Sequence, residues 1–213
     1  MARLVLIAAL AAVLAVLSGA ASAREEPRVV VVLHDGGAET SALRYGAPVL
    51  RYLGLIVEPH GAAEALPDLA ARADVRGVVI WLDKGEVGDP EGFAAWARGV
   101  THRGLPVVLM GALPQADDRF GLFLALDLIY SRELRAYGYD LRAVERDAAA
   151  IEFERRFDNL FPAADIVRPS KDSGAEPLLV LQRRSDATDR TMPIVVTAKG
   201  GYAADGYALW RSA

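Results

Sequence analysis

The chain of 213 residues contains no cysteine. That one absence removes disulfides, thiolate metal ligands, lipid attachment through a thioether and every thiol nucleophile. Histidine is scarce, with only three copies, His34, His60 and His102. The pattern G-x-S-x-G is missing, so there is no serine-hydrolase elbow. H-E-x-x-H, G-x-G-x-x-G and the phosphate-binding loop with its lysine and serine are missing as well. No basic stripe is present among the 24 basic and 28 acidic side chains, which argues against nucleic acid as a partner.

What is present begins with an address. Arg3 is the only charge in Met1–Ala23, Leu4–Leu17 is wholly apolar, and Ala21-Ser22-Ala23 forms an A-x-A site. Charge, apolar centre and small-residue exit in that order predict a secretory signal peptide over residues 1–23. The 14-residue apolar centre is short for a membrane span, which needs roughly 20 residues. The expected mature protein is therefore periplasmic or secreted, with no stable membrane span after cleavage. Residues 24–213 are long enough for one domain with its own core. Without disulfides, that core must supply the stability.

The first half of this domain alternates strand and helix. Val29–Leu33 is a continuous β-branched run expected to be buried on both faces. Ser41–Leu53 has helical spacing, Leu55–Val57 is a short strand, and Ala62–Ala73 is Ala-rich and read as a helix interrupted by Pro67. Val75–Leu82 is the clearest strand. Asp89-Pro90-Glu91 caps a helix through Arg103, which Gly104 ends. Leu105–Met110 is the fourth strand, and Arg119–Ser131 reads as an apolar helix. Four buried strands joined by helices predict an α/β, doubly wound parallel sheet.

Beyond it, Ala149–Phe157, Asp165–Pro169, Pro177–Arg184, Pro193–Ala198 and Tyr207–Arg211 read as strands of a β-rich C-terminal extension. Asp172–Glu176 and Ser185–Arg190 read as turns, and the charge-dense Arg132–Arg146 as a solvated connection.

Ligands of open α/β sheets bind beyond the carboxyl ends of the strands. The residues expected there are His34, Asp35, Gly36 and Gly37 after the first strand, His60 after the second, Asp83 and Lys84 after the third, and Gly111 after the fourth. Gly200-Gly201-Tyr202 is expected as a loop flanking the same crevice, with Tyr202 able to stack on a sugar ring; a plain hairpin turn is the alternative. His34, Asp35, His60 and Asp83 could together serve a metal-dependent or acid–base hydrolase. Equally, polar residues at strand ends begin loops and satisfy loose backbone groups. His102, late in a helix, suits a structural role beside the helix dipole. Trp81, Trp96 and Trp210 are expected in or at the edge of the core. No cofactor is implied, and no residue is assigned as catalytic.

Three segments together carry a family resemblance. They are Tyr45–Val57 (YGAPVLRYLGLIV), Val75–Asp83 (VRGVVIWLD) with Phe93–Trp96, and Gly200-Gly201-Tyr202 followed by Trp210-Arg211. They resemble the class I glutamine-amidotransferase-like domain that precedes the deacetylase domain of bacterial Pel-type exopolysaccharide deacetylases. The resemblance implies a flavodoxin-like fold and a role in exopolysaccharide or cell-envelope carbohydrate metabolism, with a polysaccharide or an envelope enzyme as partner. It does not bring amidotransferase chemistry, which needs a cysteine activated by a histidine. The deacetylase would begin just after the position of Trp210-Arg211, and its metal-binding Asp/His motifs have no counterpart in these residues. Whether the chain is a separate module or a shortened form of a larger deacetylase stays open. One expectation is directly measurable: mass spectrometry of exported protein should find Arg24 as the N-terminus, and a mature form still beginning at Met1 would contradict the leader.

Overall fold

The computed structural model describes residues 26–114, 119–134, 139–143, 164–171, 173–183 and 190–203. The run of four consecutive valines does what β-branched residues do in a crowded sheet: β1, Val29–His34, is buried along its whole length. Its alternating side chains feed two cores. Val29, Val31 and Leu33 pack with Ile80, Leu82, Phe93 and Ala97 on one face. Val30 and Val32 pack with Ala42 and Trp81 on the other.

Around β1 the chain builds a sheet of eight strands among the described residues, in the order β2-β1-β3-β4-β10-β9-β8-β6. β2 (Ile56–Gly61), β3 (Val75–Leu82) and β4 (Val107–Gly111) run parallel to β1. β10 (Gly200–Ala203) joins β4 in parallel, and β9 (Arg190–Thr197), β8 (Glu176–Arg183) and β6 (Tyr139–Ala143) continue the sheet antiparallel. A second sheet pairs β5 (Leu128–Leu134) with β7 (Ala164–Pro169).

One face of the main sheet carries a π-helical turn, Ala42–Gly46, that runs into α1, Ala47–Tyr52. The other carries α2 (Pro90–His102) and α3 (Arg119–Ala125). The fold is thus α/β, flavodoxin-like and doubly wound, with a β-rich C-terminal extension.

Local chemistry explains the best-anticipated element. Asp89 is extended and its side chain accepts from Gly92 N at 3.1 Å, Pro90 opens the first turn, and Gly104 leaves the helix at φ +83°. Other expectations need correction. Residues 62–73 form no helix. Pro67 denies the segment a continuous hydrogen-bond ladder. Its backbone is instead pinned from outside, with Trp96 Nε1 donating to Pro67 O at 2.9 Å and Leu69 buried in the core.

The helix expected over residues 119–131 stops at Ala125. Asp127 turns the chain with φ +59°, and Leu128 begins a strand. Lys199 Nζ meets Asp127 Oδ1 at 2.8 Å and ties this turn to the β9–β10 hairpin. The stretch 132–146 is not merely a connection, because it contains the end of β5 and all of β6. A sheet edge tolerates such charge density. The strands anticipated at 149–157 and 207–211, Trp210 and most of the turn at 185–190 lie outside the described residues.

The irregular 62–74 segment is closed by one arginine. Arg72 Nη2 reaches Glu58 Oε2 at 2.9 Å and Asp74 Oδ2 at 2.8 Å, linking the loop to β2 and to the start of β3. These hydrogen bonds to Arg72 hold the carboxyls of Glu58 and Asp74 below their ordinary values of 4.5 and 3.8. A lowered folded-state value contributes stability that is fully present above the ordinary value and is lost as pH falls through the lowered one. Arg72→Gln should therefore lower the thermal midpoint at pH 7. The gap to the parent protein should close as pH drops below the carboxylate range. A gap of constant size down to acid unfolding would show that the clamp adds nothing.

Candidate functional site

The sheet order places β2 on one side of β1 and β3 on the other. Successive connections therefore depart to opposite faces between β1 and β3, the switch point where open α/β sheets leave a crevice. His34 and Asp35 end or follow β1 there, and Asp83 and Lys84 follow β3.

The two carboxylates are engaged by backbone. Asp35 Oδ1 accepts from Asp83 N at 2.8 Å, and its Oδ2 accepts from Lys84 N at 2.7 Å and Glu86 N at 3.1 Å. Asp83 Oδ2 in turn accepts from Ser41 N at 2.9 Å, at the start of the turn into α1. The loop after β1 thus holds the loop after β3, which holds the next stretch of the first loop. Each carboxylate satisfies N–H groups that no helix or strand would otherwise pair.

His34 differs. It lies on the β1 face shared with Val30 and Val32, it is buried, and its Nδ1 has no partner among the described residues. Thr40, also buried, has an Oγ1 with no partner among them. Buried polar atoms without a partner are uncommon and mark places where water or a ligand group belongs. The Lys84 side chain is exposed at the rim and pairs with no carboxylate among the described residues.

His60 stands apart. It pairs in register with Leu33, and its Nε2 donates to Ala65 O at 2.9 Å, which serves the loop after β2. Among the described residues no three His, Asp or Glu side chains gather closely enough to hold a metal ion. His34, Asp35, His60 and Asp83 are therefore neighbours at one sheet edge without forming a coordination site. Gly111 ends β4 at φ +76°, where a Cβ would overlap Leu82 O, and Ala112 N donates to that same carbonyl at 2.8 Å. Only glycine fits.

The Gly200–Tyr202 segment is a strand and not a crevice loop. Parallel pairing sets Gly200 beside Val107 at the start of β4, the far end from Gly111. Gly200, at φ +133°, lies so close to the Val107 carbonyl that a side chain has no room. The Tyr202 ring is buried edge-on to Phe123, with centroids 5.2 Å apart. It offers no face to a sugar. The alternative reading of a hairpin turn is nearer, since residues 198–199 connect β9 to β10.

Sequence reasoning passed over Thr40, Ser41 and Arg119. Arg119 donates through Nη2 to Leu113 O at 3.0 Å and through Nη1 to Tyr130 Oη at 3.3 Å, so it secures the chain just after β4. The Thr-Ser pair before a helical stretch was a capping signal that could have drawn attention to residues 40 and 41.

The fold defined by this sheet is similar to that of a solved glutamine amidotransferase. A glutamine amidotransferase from Thermotoga maritima superposes with a TM-score of 0.51 at 13% identity, over 83% of this chain and 74% of that one. A glutamine amidotransferase from Methylobacillus flagellatus gives 0.48 at 12% identity, over 79% and 65%. A carbohydrate deacetylase gives 0.49 at 11% identity, over 83% of this chain and 28% of the deacetylase. No family model and no curated protein matches the sequence.

The carboxylate ties make a quantitative expectation. Asp35→Ala leaves three backbone N–H groups without their acceptor and should cost about 1–2 kcal/mol in chemical denaturation. Asp35→Asn should recover part of that. A cost within error of zero would mean that water replaces the carboxylate fully.

Proposed function

We propose that the protein is an exported, non-catalytic accessory domain of exopolysaccharide or cell-envelope carbohydrate metabolism, binding polysaccharide or a partner enzyme through the β1–β3 crevice. The observation that carries the non-catalytic half is the use of Asp35 and Asp83 as backbone acceptors in a chain without cysteine. An amidotransferase reaction requires an activated thiol, and both carboxylates at the switch point already hold loops. A strand-end rim with an exposed lysine and a buried imidazole suits recognition of hydroxyls or carboxylates better than turnover. The carbohydrate half is supported by the sequence resemblance of residues 45–57, 75–83 and 93–96. Export is supported by the leader over residues 1–23.

Titration of the exported protein with polysaccharide fragments, followed by backbone amide NMR, tests the reading. Shifts should cluster at His34, Asp35, Asp83 and Lys84 and leave Gly200–Tyr202 unmoved. Ammonia release from glutamine should stay at the no-protein blank. Absence of shifts at millimolar fragment, with no captured envelope enzyme footprinting to the same edge, would remove the binding role. Protein-dependent ammonia release would remove the non-catalytic one.

A further inference from the structure

The crevice leaves an exposed apolar surface among the described residues unexplained. Tyr45, Val49, Tyr52, Leu53 and Ile56 are between 55% and 90% exposed. Tyr45, Val49 and Tyr52 recur at spacings of four and three residues, so the helical segment 42–52 presents them on one outward side. Leu53 and Ile56 continue the patch onto the start of the edge strand β2. On a folded domain such a contiguous patch marks a surface that something covers.

Its surroundings identify the occupant. Arg28, Arg44 and Arg51 border the patch, in a protein of net charge −4. Among the described residues Arg51 pairs with no carboxylate. Arg44 sits 5.5 Å over the Tyr45 ring and only 4.0 Å from the exposed Glu39, a weak contact. Arg28 donates to Gly54 O, and Ile56 N donates to Arg28 O, so the entry to β1 is stapled between Leu53 and Ile56. The apolar run Leu4–Leu17 is separated from Arg28 by only ten residues, 18–27. Ten residues reach at most about 36 Å. While the leader holds the chain at the membrane during export, the entry to β1 beside this patch stays within that reach of the bilayer.

We propose that this face docks peripherally on the surface of a bilayer containing anionic lipid. Tyrosine at the headgroup level, aliphatic side chains just below it and arginines facing lipid phosphates are the combination an interfacial surface requires. A second copy of the chain fits less well, because a two-fold contact would bring two sets of three arginines together. Pro59 on β2, an edge strand among the described residues, also interrupts the backbone donors that edge-to-edge pairing would use. A sugar polymer would meet Val49, Leu53 and Ile56, which offer its hydroxyls no hydrogen bonds. The proposal is independent of what occupies the β1–β3 crevice.

Co-sedimentation of the exported protein with vesicles tests it. The protein should pellet with phosphatidylcholine vesicles containing phosphatidylglycerol and stay in solution with phosphatidylcholine alone. Salt should weaken binding. Arg51→Glu, and separately the double variant Tyr52→Ser with Leu53→Ser, should each reduce it by about fivefold or more, with circular dichroism unchanged because these side chains lie outside the core. No pelleting with anionic vesicles, or binding untouched by either variant, would overturn the proposal. So would a concentration-dependent dimer in sedimentation velocity that the double variant abolishes, which would assign the face to a second copy. Polysaccharide-induced NMR shifts centred on Tyr45 and Tyr52 would overturn it in favour of carbohydrate.

Discussion

β1 is buried from Val29 to His34, and its side chains alternate between two separate cores. A strand with no wet face must be central, and a central parallel strand must be covered by crossovers on both sides. The rest of the domain follows from that constraint. α1 and Trp81 close one face, α2 and Phe93 close the other, and the switch point between β1 and β3 falls at the end of β1. The burial that stabilises the sheet also decides that the last residue of the strand, His34, has a buried imidazole.

The polar groups along the connections act chiefly on backbone. Asp35 and Asp83 hold two loops against each other, Arg72 closes the segment between β2 and β3, and Lys199 with Asp127 joins the α3–β5 turn to the last hairpin. Exposed ion pairs contribute little individually, whereas a carboxylate receiving several backbone N–H groups replaces water that those groups would otherwise require. In a domain without disulfides these ties fix the loops on a core that supplies the stability. They also engage the aspartates at the strand ends, Asp35 and Asp83, with backbone N–H groups.

Where the signal was local, the chain could be read directly. The α2 cap depends on three adjacent residues, and the strands β1 and β3 on uninterrupted β-branched runs. Where it was not local, the reading failed for identifiable reasons. Residues 62–73 have helical composition, but Pro67 and the distant Trp96 indole hold them in an irregular path. Residues 126–131 continue an apolar pattern that a helix and a buried strand share, and the left-handed turn at Asp127 decides between them. Gly200–Ala203 looked like a loop because two glycines usually mark one. They are needed instead because β10 is pressed against the carbonyl of Val107.

The sequence by itself determined the alternation of strand and helix, the expected leader, the absence of a thiol and the set of polar residues at the carboxyl edge of the sheet. Each of these depends on residue type and short-range order along the chain. Only the tertiary structure decided what those residues touch. It committed Asp35 and Asp83 to backbone, left His34 Nδ1 and Thr40 Oγ1 without partners among the described residues, buried Tyr202 and brought Arg28 beside Leu53 and Ile56. Those outcomes depend on register and on contacts between residues tens of positions apart, and spacing along one chain carries no record of either.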